Sequence, residues 1–240
     1  MKYKLIKIKK ESNGVVWLTF DGPKMDFKPG QSLILKYEFK NDSGNETTTE
    51  NKVVNRMYSF ASSPTRENIE LCVKKVEGGL VSCALQEIIP GTELGLKGPI
   101  GKFYFDEEND KDLVMIGCGC GIVPFLSILD YLNEKKLDIP VKIFISNKTQ
   151  CDIIHKNSLE TLSAENNKVK ILFNLTREPE PVSCCNKMGR IDKGYLESNL
   201  DNVSGKTFFI CGTDSFAESM KKILLEMNVK ESQIKISAYG

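Results

Sequence analysis

The run IGCGCGIVPF at residues 116–125 sets Gly117, Gly119 and Gly121 two apart, between an apolar strand pattern and a helical one. Glycines in a strand-to-helix turn let the backbone approach a pyrophosphate and leave the first helical N–H groups aimed at it. The spacing is G-x-G-x-G rather than the G-x-G-x-x-G of the common dinucleotide fingerprint, so a tight turn with no ligand also fits. A second candidate lies upstream, where Arg56 stands with Met57, Tyr58 and Ser59 at the end of a strand pattern. A guanidinium fork beside an aromatic ring can pair with a phosphate while the ring packs on a planar ligand. The third is GGLVS at residues 78–82: Gly79, Leu80 and Val81 open a helix, and Ser82 is a hydroxyl donor near its N-terminal end. Each alone could be an ordinary cap or strand residue. The second and third together describe a phosphate-bearing, planar cofactor lying along the strand-rich first part of the chain.

The chain has 240 residues with 33 Lys+Arg against 32 Asp+Glu, a formal net charge of +1, with 40% hydrophobic and 27% charged residues. That balance fits a soluble globular protein with one large or two modest domains. Near-neutrality argues against a chain that lives on nucleic acid, without excluding a local basic patch. Eight cysteines and one histidine, His155, narrow the chemistry further. A single histidine speaks against a Ser-His-Asp hydrolase and against a His-rich zinc or non-haem iron site. The cysteines, at 72, 83, 118, 120, 151, 184, 185 and 211, include no C-x-x-C pair and no C-x4-C-x2-C run, so no metal site is expected. MKYKLIKIKKES at the N-terminus alternates charged and apolar residues and lacks a signal-peptide core; a cytoplasmic protein with reduced cysteines is the expectation. The longest uncharged stretch, residues 113–129, is cut by Gly117, Gly119, Gly121 and Pro124 and does not read as a membrane insertion.

Strand patterns dominate the first hundred residues, over 2–9, 15–20, 31–39, 53–60 and 69–76. Residues 40–52, KNDSGNETTTENK, are polar throughout and read as a long exposed loop. Residues 80–89 have helical spacing, and glycine-punctuated strands over 92–105 close the region. One helix among many short strands implies a small antiparallel β-barrel or sandwich. Beyond FDEENDKD (105–112), which reads as an unstructured acidic hinge, strands over 113–116, 141–145, 169–175, 207–211 and 233–237 alternate with helices over 122–135, 158–165, 193–200 and 214–227. Repeated βα units make a doubly wound parallel sheet, which gives two domains, 1–108 and 109–240.

RMYS, GGLVS, GPIGKF (98–103), GCGCGIVP (117–124) and ICGT (210–213) occur in that order. Order and spacing resemble the ferredoxin–NADP reductase superfamily over essentially the whole chain. KPGQS (28–32) resembles that family's PGQ turn, and NKTQCDIIHKNSL (147–159) its N-R/K-T-x-x-D-I-I segment. The resemblance implies an FAD-binding antiparallel β-barrel followed by an NAD(P)-binding α/β domain, here stand-alone without an iron–sulfur domain. By position, Arg56 would pair with the FAD pyrophosphate, Tyr58 would contact the flavin and ribityl chain, and Ser59 would hydrogen-bond near flavin N5, with Met57 a cofactor contact in the same motif. Ser82, with Gly79 and the N–H groups of Leu80 and Val81, would hold the pyrophosphate, and Val73 and Lys75 would make mostly backbone contacts. Cys118, Gly119, Gly121, Ile122 and Pro124 would shape the nicotinamide dinucleotide site. Cys211 and Gly212 would sit by the nicotinamide ring. GGLVS favours FAD over FMN. Thr176, Arg177 and Arg190 match the positions where NADPH-using relatives grip the 2′-phosphate, a charge-assisted contact worth roughly 1.5–3 kcal/mol; Arg177 as a solvated strand-end residue is the competing reading. NADPH is therefore expected, with NADH possible.

The departures from the family pattern also carry information. Small residues are usual where this chain has Cys118 and Cys120, and space-filling is favoured over redox action. ICGTDSF lacks the Pro after Cys-Gly, and Phe216 stands where Met is common. Ser237 replaces the Glu that many relatives carry near the nicotinamide, and Tyr239 is either a cover for the flavin ring or a terminal strand aromatic. His155 reads as a packed histidine, Cys184 and Cys185 as loop residues unsuited to an unstrained disulfide. The lysines at 2, 4, 7, 9 and 10 read as the solvated face of an edge strand, with docking of an acidic electron carrier as the alternative.

The expectation is an FAD-dependent NAD(P)H oxidoreductase, with Ser59 and Cys211 nearest the reacting atoms, passing electrons to a separate ferredoxin, flavodoxin or catalytic subunit. Two alternatives stay open: a reductase of free flavin or small acceptors, and a non-catalytic FAD-binding subunit or redox sensor, for which Ser237 is the best support.

Overall fold

Alternation builds the first sheet. In β2 (Val15–Asp21), Val16, Leu18 and Phe20 are buried in one apolar cluster, while Val15 and Trp17 face another. The computed structural model describes residues 1–11, 14–39 and 52–239. With β1 (Lys2–Glu11), β3 (Ser32–Phe39), β4 (Lys52–Ser59), β5 (Ile69–Lys74) and β6 (Glu93–Ile100), β2 forms an antiparallel sheet in the order β4-β3-β6-β1-β2-β5. A bridge between Phe60, just past β4, and Leu71 of β5 draws the two edges together into a barrel. Helix α1 (Leu80–Ala84) then caps the interior, since Val81, Leu85 and Ile88 join the barrel core around Leu18, Phe20 and Leu71.

Three expectations change here, and a fourth lies mostly outside the described residues. β1 is a central strand between β6 and β2, not an edge; its lysines are exposed because the outer face of the barrel is open to water. The helix stops at Ala84 instead of running to 89, with Pro90 and Gly91 soon after to prevent its extension. Past residue 92 there is one strand, Glu93–Ile100, and the chain then hangs on single contacts such as Phe105 N–H to Pro29 O at 2.9 Å. The expected loop over 40–52 falls mostly outside the described residues, except that Lys52 already pairs with Phe39 in β4.

The second sheet is wholly parallel, in the order β10-β9-β8-β7-β11-β12. Its strands are β7 (Leu113–Cys118), β8 (Val141–Asn147), β9 (Val169–Leu175), β10 (Cys185–Met188), β11 (Thr207–Thr213) and β12 (Ile234–Tyr239). The chain runs outward from β7 to β10, then crosses back to lay β11 and β12 on the other side of β7. Helices α2 (Val123–Glu134) and α3 (Lys156–Glu165) cover one face. Helices α4 (Lys193–Asn199) and α5 (Asp214–Glu226) cover the other, burying Leu196, Ala217, Met220 and Leu224 on Phe144, Phe208 and Ile210. Cys185 is not in a loop: it opens β10, a short polar strand whose pairing with β9 supplies what its own sequence lacks.

The acidic stretch between the sheets is ordered, not a loose hinge. Asp110 is 2% exposed; its carboxylate accepts from the Asp106 N–H at 2.7 Å, from Thr207 at 3.0 Å and from Lys235 at 2.6 Å. The two sheets also share a core: Ala61, Phe103 and Phe105 from the first half pack in one cluster with Phe125, Leu126 and Phe209 from the second.

Candidate functional site

In an open parallel sheet the crevice for a ligand opens where strand order reverses, at the carboxyl ends of the strands on either side. Here that place lies between β7 and β11, ending in Cys118 and Thr213. The glycine pattern explains how the two ends close on each other. A Cβ on Gly121 would stand 2.0 Å from the Cys211 carbonyl oxygen, and one on Gly212 would stand 2.5 Å from Cys118 Sγ, so any side chain would push the turns apart. Residues Gly119–Ile122 form one 3-10 turn that leads into α2, with Pro124 in its first helical turn. Thr213 caps α5, accepting from the Phe216 N–H at 3.4 Å. Two helices thus begin at the crevice and bring the positive ends of their dipoles to it.

The barrel supplies the opposite wall. A cleft of about 750 Å³ runs from the crevice along β4, β5 and the loop before α1, within the usual size of a cofactor site. It is lined by Arg56, Met57, Tyr58 and Ser59 of β4, by Lys75, Gly79, Val81 and Ser82, and by Cys211 and Tyr239 across the gap. Arg56, Lys74, Lys75 and Lys148 line it, and among the described residues no carboxylate does. A large, partly apolar groove whose charged lining is all cationic fits a planar group carrying phosphates.

Several sequence-derived positions take a different local part. Ser82 is not the helix cap; Gly79 is, and the Ser82 hydroxyl accepts from the Val76 N–H at 3.1 Å and donates to the Gly79 carbonyl at 3.2 Å. It staples the GGLVS loop, while the N–H groups of Leu80, Val81 and Ser82 at the helix start have no intrahelical acceptor. Val73 points into the barrel core, 1% exposed, so its neighbours Cys72 and Lys74 face the cleft instead. Gly119, Gly121, Ile122 and Pro124 form the turn behind the crevice. Thr176, Arg177 and Arg190 lie away from the cleft lining, but β9 and β10 bring them to one edge. Gly189 N–H bonds Leu175 O at 2.8 Å, and both arginines are exposed with no ion pair among the described residues. His155 is half-buried, its ring centroid 4.9 Å from that of Trp17, and is outside the cleft.

Residues the sequence reading passed over also line the cleft. Ser32 closes the PGQS turn and places its hydroxyl 3.3 Å from that of Ser59. Lys74 reaches over the domain boundary to Asp152 at 3.1 Å, and Lys148 follows β8. The signal for Ser32 was present in the PGQ motif; for Cys72 and Lys74 it was the strand alternation, which exchanges them with Val73.

Burial keeps the uncharged side chains neutral. It pushes the Tyr58 hydroxyl up to about 12 and the Cys211 thiol to about 12, although Ser237 hydrogen-bonds that thiol. Burial likewise raises Cys72, Cys118, Cys120 and Tyr239. The Tyr239 hydroxyl donates to the Cys118 carbonyl at 2.9 Å, so its ring lies over the ends of β7 and β11. The thiols of the crevice are therefore apolar packing groups with weak donors, and the field of the cleft comes from its lysines and arginine.

A barrel wall and a parallel-sheet switch point that face each other across a cationic cleft define a two-domain flavin- and nicotinamide-binding protein. Residues 2–105 match the oxidoreductase FAD-binding domain family and residues 115–222 the oxidoreductase NAD-binding domain family. The chain belongs to both domain families, which together account for most of its length, and it has the fold of a ferredoxin–NADP reductase. It is 28% identical over 165 residues to NADH-cytochrome b5 reductase 2 of Debaryomyces hansenii, covering 68% of this chain and 54% of that protein. Across the first such reductases it matches, the chain spans 54% to 63% of the relative's length. Its fold is shared with the flavohem-like FAD/NAD-binding domain of nitric oxide dioxygenase from Vibrio cholerae, with a TM-score of 0.86, 19% identity and coverage of 100% of this chain and 98% of that one. It is shared also with a ferredoxin NADP+ reductase from Neisseria gonorrhoeae bearing FAD and NADP, with a TM-score of 0.80, 22% identity and coverage of 99% and 98%. No described helix is long and apolar enough to cross a membrane, and all eight cysteines are free.

Proposed function

We propose that this protein is an FAD-dependent NAD(P)H oxidoreductase that takes a hydride from a nicotinamide nucleotide, preferentially NADPH, and passes electrons to a separate protein acceptor. The observation that carries this reading is the cleft between barrel and switch point, lined by Arg56, Lys75, Lys148 and the Asp152-paired Lys74, with no carboxylate among its described lining residues. FAD, when bound, supplies a ring that accepts a hydride and releases electrons singly or in pairs. The protein's part is binding and orientation. Arg56 and the N–H groups at the start of α1 hold the pyrophosphate, Tyr58 and Met57 pack on the ring system, and the Ser59 hydroxyl, held by Ser32, offers a hydrogen bond beside it. Gly121 and Gly212 keep the crevice narrow, so that a nicotinamide entering by Cys211 is held in stacking reach of the barrel wall. Neutral thiols at Cys118, Cys120 and Cys211 exclude water without adding charge. Thr176, Arg177 and Arg190 grip the 2′-phosphate at the β9–β10 edge.

In this reading residues 1–108 hold the flavin and residues 109–240 the nucleotide. The acceptor is a ferredoxin, a flavodoxin or the catalytic subunit of a larger assembly; cytochrome b5 and ferredoxin in the relatives' names mark the range. Purified protein should carry or take up FAD and show its yellow absorbance, and anaerobic NADPH should bleach that colour. Protein that stays colourless with added FAD, or flavin untouched by both NADPH and NADH, would defeat the reading.

A further inference from the structure

The reaction just proposed needs the flavin wall and the nucleotide crevice held at a fixed spacing, and one short segment connects them mechanically. The strand that ends in Ser59 continues into the loop Phe60 to Arg66, and that loop grips α2, the helix that begins at the glycine turn. The Ser127 hydroxyl donates to the Ser62 carbonyl at 2.7 Å; both residues are 0% exposed. Farther along the helix Arg66 bonds Asp130 at 2.7 Å and Glu134 at 2.8 Å, and is braced by Glu70 of β5 at 3.4 Å. Thr65 adds a hydrogen bond to Glu134. Ser127, Asp130 and Glu134 are spaced i, i+3 and i+7, so they share one face of α2 and turn it to the loop. A helix held at a single point can pivot about it, whereas two attachments nearly two turns apart fix both its distance and its rotation. Ser62 lies three residues past Ser59, and Ser127 one turn past Val123, so a shift at either attachment moves the site.

We propose that Arg66 is a positioning residue: its grip on Asp130 and Glu134, together with the Ser62–Ser127 bond, sets the rotation of α2 and hence the spacing between the Arg56–Ser59 wall and the Gly119–Gly121 turn. This rests on the reductase reading above, because only a transfer between the two walls makes their spacing matter. The clamp faces a groove of about 260 Å³ that Trp17 also lines, and Trp17 is the single tryptophan of the chain, so its emission reports the seam without reference to activity.

The test uses full-length, FAD-loaded protein as wild type, Arg66→Ala, Arg66→Lys and Ser127→Ala. Each is followed by flavin absorbance, by Trp17 emission and by anaerobic single-turnover bleaching over a range of NADPH concentrations. Arg66→Ala should keep its FAD and its half-saturating NADPH concentration, shift Trp17 emission to the red, and lower the limiting bleaching rate roughly tenfold. Arg66→Lys should recover much of both signals. Ser127→Ala, which removes one hydroxyl from a buried site, should move both in the same direction and serves if Arg66→Ala does not fold. An unchanged limiting rate beside a shifted Trp17 signal overturns the proposal, as does a loss of rate matched by an equal loss of FAD or an unmoved Trp17 signal. Failure of the wild type to bleach with either nucleotide would instead defeat the reductase reading, and the Trp17 comparison would still decide whether the clamp exists.

Discussion

Arg177 and Gly121 show what single residues contribute, and how differently the sequence announces them. Arg177 is exposed at the end of β9 with Arg190 at the end of its neighbour and no described carboxylate in an ion pair with either. Arg177→Ala should lower NADPH affinity by roughly 1.5–3 kcal/mol, about ten- to a hundredfold, and leave NADH affinity in place. Titration of both nucleotides checks this, and an equal loss for both would remove the 2′-phosphate assignment. Gly121→Ala forces a methyl to within 2.0 Å of the Cys211 carbonyl, a backbone atom that cannot rotate away. It should cost about 1–3 kcal/mol in urea denaturation and slow bleaching by either nucleotide, because the crevice must widen. Wild-type stability would show that the turn relaxes freely. Much of the candidate site was legible at this scale because charge, glycine and hydroxyl patterns leave marks: Arg56, Tyr58, Ser59, Gly79 and Cys211 were all named, and all line one cleft. Cys72 and Lys74 were not, because a strand's face follows from its neighbours in the barrel. Lys148 waits on the bend after β8.

At the level of elements, the long periodic segments read correctly and the short polar ones did not. β9 covers Val169–Leu175 as expected and α5 ends one residue early, since each has a continuous apolar face to bury. β10 and the Asp110 turn escaped, because a four-residue polar strand and an acidic loop gain their structure from partners distant in sequence. Asp110→Ala would strip Lys235, Thr207 and the Asp106 N–H of a shared, buried acceptor. The expected cost is about 3–5 kcal/mol, read by denaturation; a loss below 1 kcal/mol would mark the turn as ornamental. The α2 clamp gives a pH dependence. Burial pushes the Asp130 carboxyl up to about 6 against the pull of Arg66, so the folded state holds a proton that the unfolded chain has released. This group's stabilising effect is full below about pH 4 and is lost as pH rises through 6. Glu134, held down by Thr65 and Arg66, works in the opposite sense, losing its contribution as pH falls. The stability of wild type relative to Asp130→Asn should therefore decline between pH 4.5 and 7. A flat or rising difference would contradict the assignment.

For the molecule as a whole, the question is whether barrel and parallel sheet behave as one body. Ala61, Phe103 and Phe105 are buried among α2 and β11 side chains in a single cluster, and Ser62–Ser127 is a fully buried hydrogen bond between the halves. Separating the halves would expose that apolar surface and leave those polar groups without partners, so neither half has reason to unfold first. The cleft spans the same boundary, with Arg56 on one wall and Cys211 and Tyr239 on the other. A ligand bound there stabilises both walls together. Calorimetry should accordingly show a single unfolding transition, and FAD at a hundred times its dissociation constant should add about 2.7 kcal/mol, raising that transition by roughly 5–10 °C for a chain of this size. Two transitions, with only the first moved by FAD, would mean that the shared core is too weak to couple the halves. The spacing between flavin and nucleotide would then be set by the ligands instead of by the Arg66 clamp.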